Sequence, residues 1–129
     1  MAEESFGCQH CWPPAADEAE TARRSLTKVA DLVAESHFSI RVFVCDACSQ
    51  HFLSVFTETV DWDGGEDPMY WTTVPLRLNE WAALQLVGSS PEAFIRSFDP
   101  NRRCLKYDFP KGQPASNYWG HGIVIRPHD

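Results

Sequence analysis

Long apolar runs are missing from this sequence of 129 residues. No stretch approaches the roughly 20 consecutive apolar residues of a membrane-spanning helix. The acidic start, Met1-Ala2-Glu3-Glu4, leads into no apolar segment of the kind found in secretory signals. The sequence therefore predicts no membrane association, and we expect a cytoplasmic protein whose thiols stay reduced.

The motifs of several enzyme classes are also missing. The sequence contains no nucleophile elbow, phosphate loop, dinucleotide fingerprint or His-Glu-x-x-His helix. One enzyme hypothesis stays open, in which Cys104 acts as a nucleophile with His121 as base and Asp108 as the orienting carboxylate. Only residue types support it, and a lone cysteine in a strand is usually a small buried hydrophobic residue. A non-catalytic protein is therefore favoured.

Basic residues are few. Eleven Lys and Arg stand against eighteen Asp and Glu, which gives a net charge of -7. Such a balance opposes contact with the phosphates of a nucleic acid. A nucleic-acid-binding or transcription-associated role remains an alternative, and it requires five arginines to converge on one face despite the overall charge: Arg23, Arg24, Arg41, Arg102 and Arg103.

Cysteine, by contrast, is present in an informative pattern. Cys8 and Cys11 form one Cys-x-x-Cys pair, and Cys45 and Cys48 form a second. Each pair presents two thiolates at the spacing that one tetrahedral metal ion accepts. The number of cysteines is five, which leaves Cys104 as a spare and does not fit a fully paired disulfide framework. The pattern predicts a four-cysteine metal site.

The surroundings of the second pair indicate a hairpin. Residues 38–45 alternate as a strand does, and His51–Val60 is again rich in β-branched and aromatic residues, so Cys45-Asp46-Ala47-Cys48 falls at the turn between them. Each Cys-x-x-Cys segment, Cys8–Cys11 and Cys45–Cys48, is here called a knuckle. Over the two knuckles and this hairpin, the chain resembles zinc-ribbon and rubredoxin-like four-cysteine proteins. The resemblance implies a structural zinc ion bound by four thiolates: Cys8, Cys11, Cys45 and Cys48.

Two details of the site remain open at this stage. Knuckles in that class often read Cys-Pro-x-Cys-Gly, and this chain has neither the proline nor the glycine. The missing glycines disfavour electron-transfer iron, because close backbone approach to the sulfurs tunes such sites. His10 and His51 are alternative ligands, and replacement of one thiolate opens the prospect of a catalytic zinc, but four sulfurs already satisfy the metal.

Periodicity predicts the remaining elements. Small apolar residues at spacings of three and four predict a helix over about Ala15–Glu35, in the segment between the two cysteine pairs. In chain order, the other expected elements are a strand over 69–74 stopped by Pro75, a helix over 80–87 between Asn79 and Gly88, a helix beginning at Ser90 and Pro91, and strands over 102–109 and 122–126. We predict one α+β domain over residues 1–129, a small antiparallel sheet built around a zinc ribbon with two or three helices.

Two segments are candidate docking surfaces. Asp61–Asp67 is rich in carboxylates but does not match the ligand spacing of a calcium loop, so it is either a simple turn or a surface for a basic partner. Tyr118–His121 carries aromatic residues that either cover the core or anchor a partner. The leading hypothesis is a zinc-stapled, non-catalytic accessory protein that docks onto a protein partner through one of these segments.

Overall fold

The computed structural model of the protein describes residues 5–65, 67–86 and 90–128. Within these ranges the chain forms three short helices and six strands. In chain order they are α1 Ala16–Arg23, β1 Thr27–Ala34, β2 Phe38–Val44, β3 His51–Glu58, β4 Met69–Leu76, α2 Leu78–Leu84, α3 Pro91–Arg96, β5 Arg103–Phe109 and β6 Ser116–His121.

The six strands form one antiparallel sheet in sequence order, from β1 at one edge to β6 at the other. The expected α+β class with an antiparallel sheet is therefore confirmed. The hairpin of β2 and β3 is also confirmed: Val44 pairs with His51, and the second cysteine pair occupies the turn between them. The cysteines consequently lie at one end of the sheet.

One side of the sheet, which we call the core face, carries the main hydrophobic core. Val42, Leu53 and Val74 are register partners on this face, and all three are fully buried. Burial of each such side chain contributes about 1.5–3 kcal/mol. Leu84 of α2 and Ile95 of α3 belong to the same cluster, so these two helices cover the core face.

The opposite side, which we call the outer face, is only partly covered. It carries Phe56, Trp71 and Tyr107, which are register partners on β3, β4 and β5. Helix α1 packs against β5 and β6, and the indole Nε1 of Trp119 on β6 donates to the carbonyl of Pro14, just before α1, at 2.8 Å. The chain before β1 therefore covers the outer face near the cysteines.

The helix predicted over Ala15–Glu35 is wrong in its second half. Only Ala16–Arg23 is helical, and Thr27–Ala34 is an edge strand. Its register against β2 shifts twice, so that Thr27, Ala30 and Val33 face successive alternate residues of β2. Bulges that insert an extra residue turn the two-residue period of a strand into a period of three, which imitates a helix.

Proline does not stop β4 where expected. The strand continues through Pro75 to Leu76. The paired part of β4 and β5 ends at Thr73 and Leu105, so Pro75 lies beyond the point where β5 needs a backbone N–H. Its carbonyl accepts a hydrogen bond from Arg102 Nη1 at 2.7 Å instead.

The two later helices differ slightly from the prediction. Asn79 lies inside α2 rather than at its cap, because the Glu80 carboxylate accepts from the backbone N–H of Arg77 and begins the helix there. Val87 and Gly88, the expected end of this helix, lie outside the described residues. The prediction for α3 is confirmed, since Ser90 caps it and Pro91 is its first residue.

The last strand lies earlier than predicted. Ser116–His121 forms β6, and no strand covers residues 122–126. Gly122 has a φ of 79°, a left-handed conformation that ends the strand. The chain then crosses the core face, where Ile123 and Ile125 pack on the core and His128 stacks on Phe38.

Candidate functional site

The two Cys-x-x-Cys pairs form matching turns. The backbone N–H of Trp12 donates to the carbonyl of Cys8 at 2.8 Å, and the N–H of Ser49 donates to the carbonyl of Cys45 at 2.8 Å. Each turn therefore closes four residues after its first cysteine. The first knuckle belongs to the loop before α1 and the second to the β2–β3 hairpin, so residues distant in the sequence meet here.

The four thiols lie close together, as the spacing predicted. Their sulfurs are all within 4.8 Å of one another. Three Sγ–Sγ distances are 3.7 Å for Cys8 and Cys11, 3.9 Å for Cys8 and Cys45, and 3.7 Å for Cys11 and Cys48. Four sulfurs at about 2.3 Å from one zinc lie about 3.8 Å apart, whereas a disulfide needs about 2.05 Å. The cluster is compatible with a tetrahedral metal site.

The four thiols differ in their electrostatics. The backbone N–H groups of Cys11 and His10 point at the Cys8 sulfur and lower its pKa to about 6. Burial acts in the opposite direction and raises the pKa, but its effect is smaller. Burial raises the pKa of Cys11 and, less strongly, that of Cys48. A bound cation reverses the cost of burial for these thiols, because a coordinating sulfur must be deprotonated.

Neither histidine joins the cluster. The residues that the structure brings together around one point are the four cysteines. His10 is exposed, and the His51 ring stacks on Trp81 with centroids 5.0 Å apart. His51 is therefore an ordinary strand side chain, and the donor set consists of sulfur.

Backbone conformation explains how the knuckles form without their usual glycines. Ser49 directly follows Cys48 and has a φ of 65°, the left-handed conformation that favours glycine. Gly7 directly precedes Cys8 with a φ of 67°, and a Cβ there would lie 2.8 Å from the Cys11 sulfur. One knuckle therefore tolerates a strained serine, and the other depends on a glycine outside the usual motif.

Sequence reasoning missed a residue that joins the two knuckles. Gln50 Oε1 accepts from the backbone N–H of Gly7 at 3.0 Å. Its Nε2 donates to the carbonyls of His51 at 2.8 Å and Leu76 at 2.7 Å. Gln50 thus links the first knuckle to β3 and to the end of β4. No motif marks Gln50 in the sequence; only its place just after the second knuckle could have indicated a role near the cysteines.

Aromatic side chains fix the first knuckle to the sheet. Trp12 lies against Phe52 with ring centroids 5.2 Å apart and against Trp119 at 4.9 Å. Phe52 is fully buried with Cys11 and Cys45 in a second, smaller core. The cysteine cluster therefore rests on packed rings, which hold its sulfurs in place.

The hypothetical catalytic group around Cys104 is not assembled. The Cys104 thiol is fully buried, its pKa is raised by that burial, and it donates to the carbonyl of Gly122 at 3.2 Å. Asp108 accepts from the hydroxyl of Tyr118 at 2.7 Å, and His121 is exposed on β6. These contacts give Cys104 the role of a core residue.

The five arginines do not form one basic face. Arg102 is 4% exposed and forms an ion pair with Glu80 at 3.0 Å. Arg41 pairs with Asp31 at 2.8 Å, and Arg23 pairs with Glu20. With one arginine buried and two paired with carboxylates, the five do not provide the extended basic face that a nucleic-acid backbone needs.

The Asp61–Asp67 loop is partly organised by its own carboxylates. Asp61 forms an ion pair with Lys111 at 2.6 Å and accepts from the N–H of Gly64 at 2.9 Å, which together lower its pKa to about 2. Asp67 accepts from the N–H of Asp61 at 2.7 Å. Trp62 between them is 88% exposed.

Beside this loop lies a cleft of about 630 Å³, which we call the acidic cleft. Met69 and Phe109, register partners on the outer face, lie in its lining, and Phe109 is 42% exposed. Glu58, Asp67 and Lys111 add charges to the lining. The cleft combines apolar surface with carboxylates at one end of the sheet.

Next to the cleft runs a line of aromatic side chains, the aromatic row: Phe56, Trp71 and Tyr107. Their ring centroids are 4.8 Å and 5.1 Å apart. All three are half-buried and share the outer face with Met69 and Phe109. Sequence reasoning missed this surface, because it arises from the register of three strands.

The Tyr118–His121 segment is a strand rather than a free tail. The hydroxyl of Tyr118 donates a hydrogen bond to the carboxylate of Asp108. Trp119 lies between Trp12 and Arg103, whose guanidinium is 3.8 Å from the centroid of the Trp119 ring. Much of this aromatic surface is therefore already used within the domain.

Comparisons with known protein families, with curated proteins and with solved structures found no match to this chain. Among the residues that the structure describes, no helix has the length and apolar character needed to cross a membrane.

Proposed function

We propose that Cys8, Cys11, Cys45 and Cys48 hold one structural zinc ion. The Sγ–Sγ distances of 3.7–3.9 Å support this reading, since they match the edges of a zinc–thiolate tetrahedron. Four thiolates leave no open position for water or substrate, so the zinc stabilises the fold and supplies no reaction. Zinc is preferred over iron because the knuckles lack the glycines typical of electron-transfer sites.

The domain that this zinc ion stabilises acts as a non-catalytic docking module. Its partner is a protein segment that combines basic residues with an apolar anchor, and the segment binds in the acidic cleft. The observation that carries this function is the juxtaposition of the exposed Phe109 with the carboxylates of Glu58 and Asp67. A cleft of mixed apolar and acidic character selects a partner of the opposite charge.

The charges around the cleft support a basic partner. Lys111, the lysine of the lining, is paired with Asp61 at 2.6 Å. Asp63 at the tip of the loop is exposed. The aromatic row extends the apolar surface away from the cleft, and aromatic residues provide large contact area at low cost in side-chain entropy. A partner segment can therefore anchor apolar side chains on the rings and basic ones on the loop.

The alternative functions have less support. A thiol enzyme needs an accessible, activated Cys104, and that thiol is buried with a raised pKa. A nucleic-acid-binding protein needs a basic face, and Arg102 is buried against Glu80. As the docking surface, the acidic cleft is preferred over the Tyr118–His121 segment, because Trp119 is already packed within the protein.

A capture experiment with matched variants tests the docking function. The zinc-loaded protein, immobilised, is exposed to an extract of its own host, and retained proteins are quantified by mass spectrometry. Phe109→Ser removes the apolar anchor, and Asp67→Asn removes a charge while it keeps an oxygen that accepts from Asp61. The control, Val29→Ser, removes an apolar side chain of similar exposure, 44%, on the far edge strand.

We expect one protein to be retained by the wild type and by Val29→Ser, and to be reduced at least about tenfold by Phe109→Ser, as for a central anchor residue. Retention falls with added salt, less steeply for Asp67→Asn, because one attraction is already gone. Equal retention by all variants, or retention that rises with salt, contradicts docking in the acidic cleft.

A further inference from the structure

A second cavity lies beside the first knuckle, about 590 Å³ in volume. Its lining includes the aromatic side chains of Phe6 and Trp12 together with Arg77, Arg103 and His121. Binding cavities for small molecules typically measure about 300–1,000 Å³ and combine aromatic walls with a few polar groups. This cavity fits that description, and it lies at the opposite sheet edge from β1.

Arg103 and His121 are the central polar pair of the cavity. They face each other as register partners on β5 and β6. In the part of the chain that the structure describes, neither forms an ion pair with a carboxylate. The imidazole of His121 and the guanidinium of Arg103 can both donate hydrogen bonds, and an anion bound between them gives the guanidinium a partner of opposite charge.

The Arg103 guanidinium is held in place before any ligand arrives. It stacks on the Trp119 ring at 3.8 Å from the centroid, and Trp119 is itself fixed by its bond to Pro14 and by contact with Trp12. Stacking leaves the N–H groups at the edge of the guanidinium able to donate. A pre-ordered fork of donors suits the oxygens of a phosphate group.

Two further charged residues of the lining are occupied elsewhere. Arg102 lies between the rings of Phe6 and Phe98 and is paired with Glu80, so it lines the cavity without offering a free charge to a ligand. The carboxylate of Asp99 accepts from the N–H of Asn101 at 2.9 Å. Arg103 is therefore the charged group of the lining on which the binding of an anion depends.

We propose that this cavity binds a phosphate-bearing small molecule of about mononucleotide size. Arg103 and His121 hold the phosphate, and the rings of Phe6 and Trp12 contact the flat part of the ligand. The volume exceeds the need of a bare phosphate ion, and the rings give a planar ligand group a surface to stack on. The site is independent of the acidic cleft and of the proposed docking function.

Calorimetric and NMR titrations of the zinc-loaded protein test the proposal, with three probes: adenosine monophosphate, inorganic phosphate and adenosine. We expect adenosine monophosphate to bind more tightly than phosphate, and adenosine to bind more weakly than the monophosphate. The amide signals of Arg103 and His121 shift on binding. Arg103→Gln weakens binding of the monophosphate at least about tenfold, because it removes a charged donor pair.

Lys28→Gln is the matched control, since it removes one positive charge from β1 at the other edge of the sheet. It leaves binding unchanged, and thermal unfolding verifies that both variants are folded. Absence of binding by the phosphate-bearing probes at millimolar concentration overturns the proposal. So does equal weakening by both variants, which indicates only a diffuse charge effect, or binding whose shifts fall outside the cavity.

Discussion

At the scale of single residues, the structure separates charges that the sequence presents as equivalent. Arg102 and Arg103 are neighbours in the chain, yet Arg102 is buried against Glu80 and Arg103 is exposed on an indole ring. Arg102 lies just before β5 and Arg103 is its first residue, so the two side chains enter different environments where the strand begins. Asp61 and Asp63 also differ, since Asp61 forms an ion pair with Lys111 and Asp63 is exposed.

The Asp61 carboxyl provides a test at this scale. The Lys111 ion pair and the N–H of Gly64 lower its pKa from 3.8 to about 2. Because the pKa is lower in the folded state, the pair stabilises the protein fully above about pH 4, and this contribution is lost as the pH falls through about 2. We expect Lys111→Ala to raise the pKa of Asp61 toward its ordinary value, measured by NMR titration of the carboxyl carbon.

Backbone N–H groups still bind the Asp61 carboxylate in that variant, so the pKa remains somewhat below 3.8. Lys28→Ala removes a lysine that pairs with Asp31 instead and should leave the Asp61 titration unchanged. An Asp61 pKa that does not move in Lys111→Ala contradicts the ion pair.

At the scale of the elements, each knuckle is a short turn whose shape depends on one left-handed residue beside it. In the second knuckle this residue is Ser49, and in the first it is Gly7. The hydrogen bonds from Ser49 to Cys45 and from Trp12 to Cys8 are equal in length. The two turns share this hydrogen bond, but the left-handed residue follows the second knuckle as Ser49 and precedes the first as Gly7.

Replacement of the left-handed residues should change stability in opposite directions. Ser49→Gly relieves a steric cost of roughly 1 kcal/mol, offset in part by the extra freedom of glycine in the unfolded chain. We expect a slightly higher midpoint of thermal unfolding for the zinc-loaded protein. Gly7→Ala introduces a Cβ 2.8 Å from the Cys11 sulfur and should lower the midpoint. Changes of the same sign in both variants contradict this account of the turns.

At the scale of the whole molecule, the cysteine cluster joins parts of the chain that the sheet alone leaves apart. The first knuckle precedes every strand, whereas the second lies between β2 and β3. Trp12 and Gln50 add contacts from the first knuckle to β6 and β4. Removal of the metal should therefore loosen the segment before β1 and destabilise the domain.

Cys48→Ser tests this dependence cleanly, because Cys48 is exposed and its substitution removes little packing. We expect the zinc content, measured by elemental mass spectrometry, to fall from one ion per chain to less, with a midpoint of thermal unfolding lower by roughly 10 °C or more. Ala47→Ser, in the same turn, is the control and keeps both. An unchanged midpoint in Cys48→Ser contradicts a structural metal, and iron in the wild type contradicts zinc.

Much of the fold and the cysteine cluster could be predicted, because the evidence was local. Alternation predicted a strand over 38–45, which the structure has as Phe38–Val44. The Cys45–Cys48 turn followed from the strands on both sides, and Ser90 with Pro91 marked the start of α3. The meeting of the four thiols also followed from spacing, since one tetrahedral ion accepts two such pairs.

What the sequence by itself determined is the set of thiols, the strong strands and the acidic balance, since each depends on residue type and near neighbours. Only the tertiary structure made residues 27–34 a strand. Two shifts in their register against β2 give this strand the apolar spacing of a helix. The tertiary structure also decided the aromatic row and the Arg103–His121 pair, which exist only through strand register. The physical reason is that hydrogen bonding between strands joins residues whose distance along the chain carries no signal.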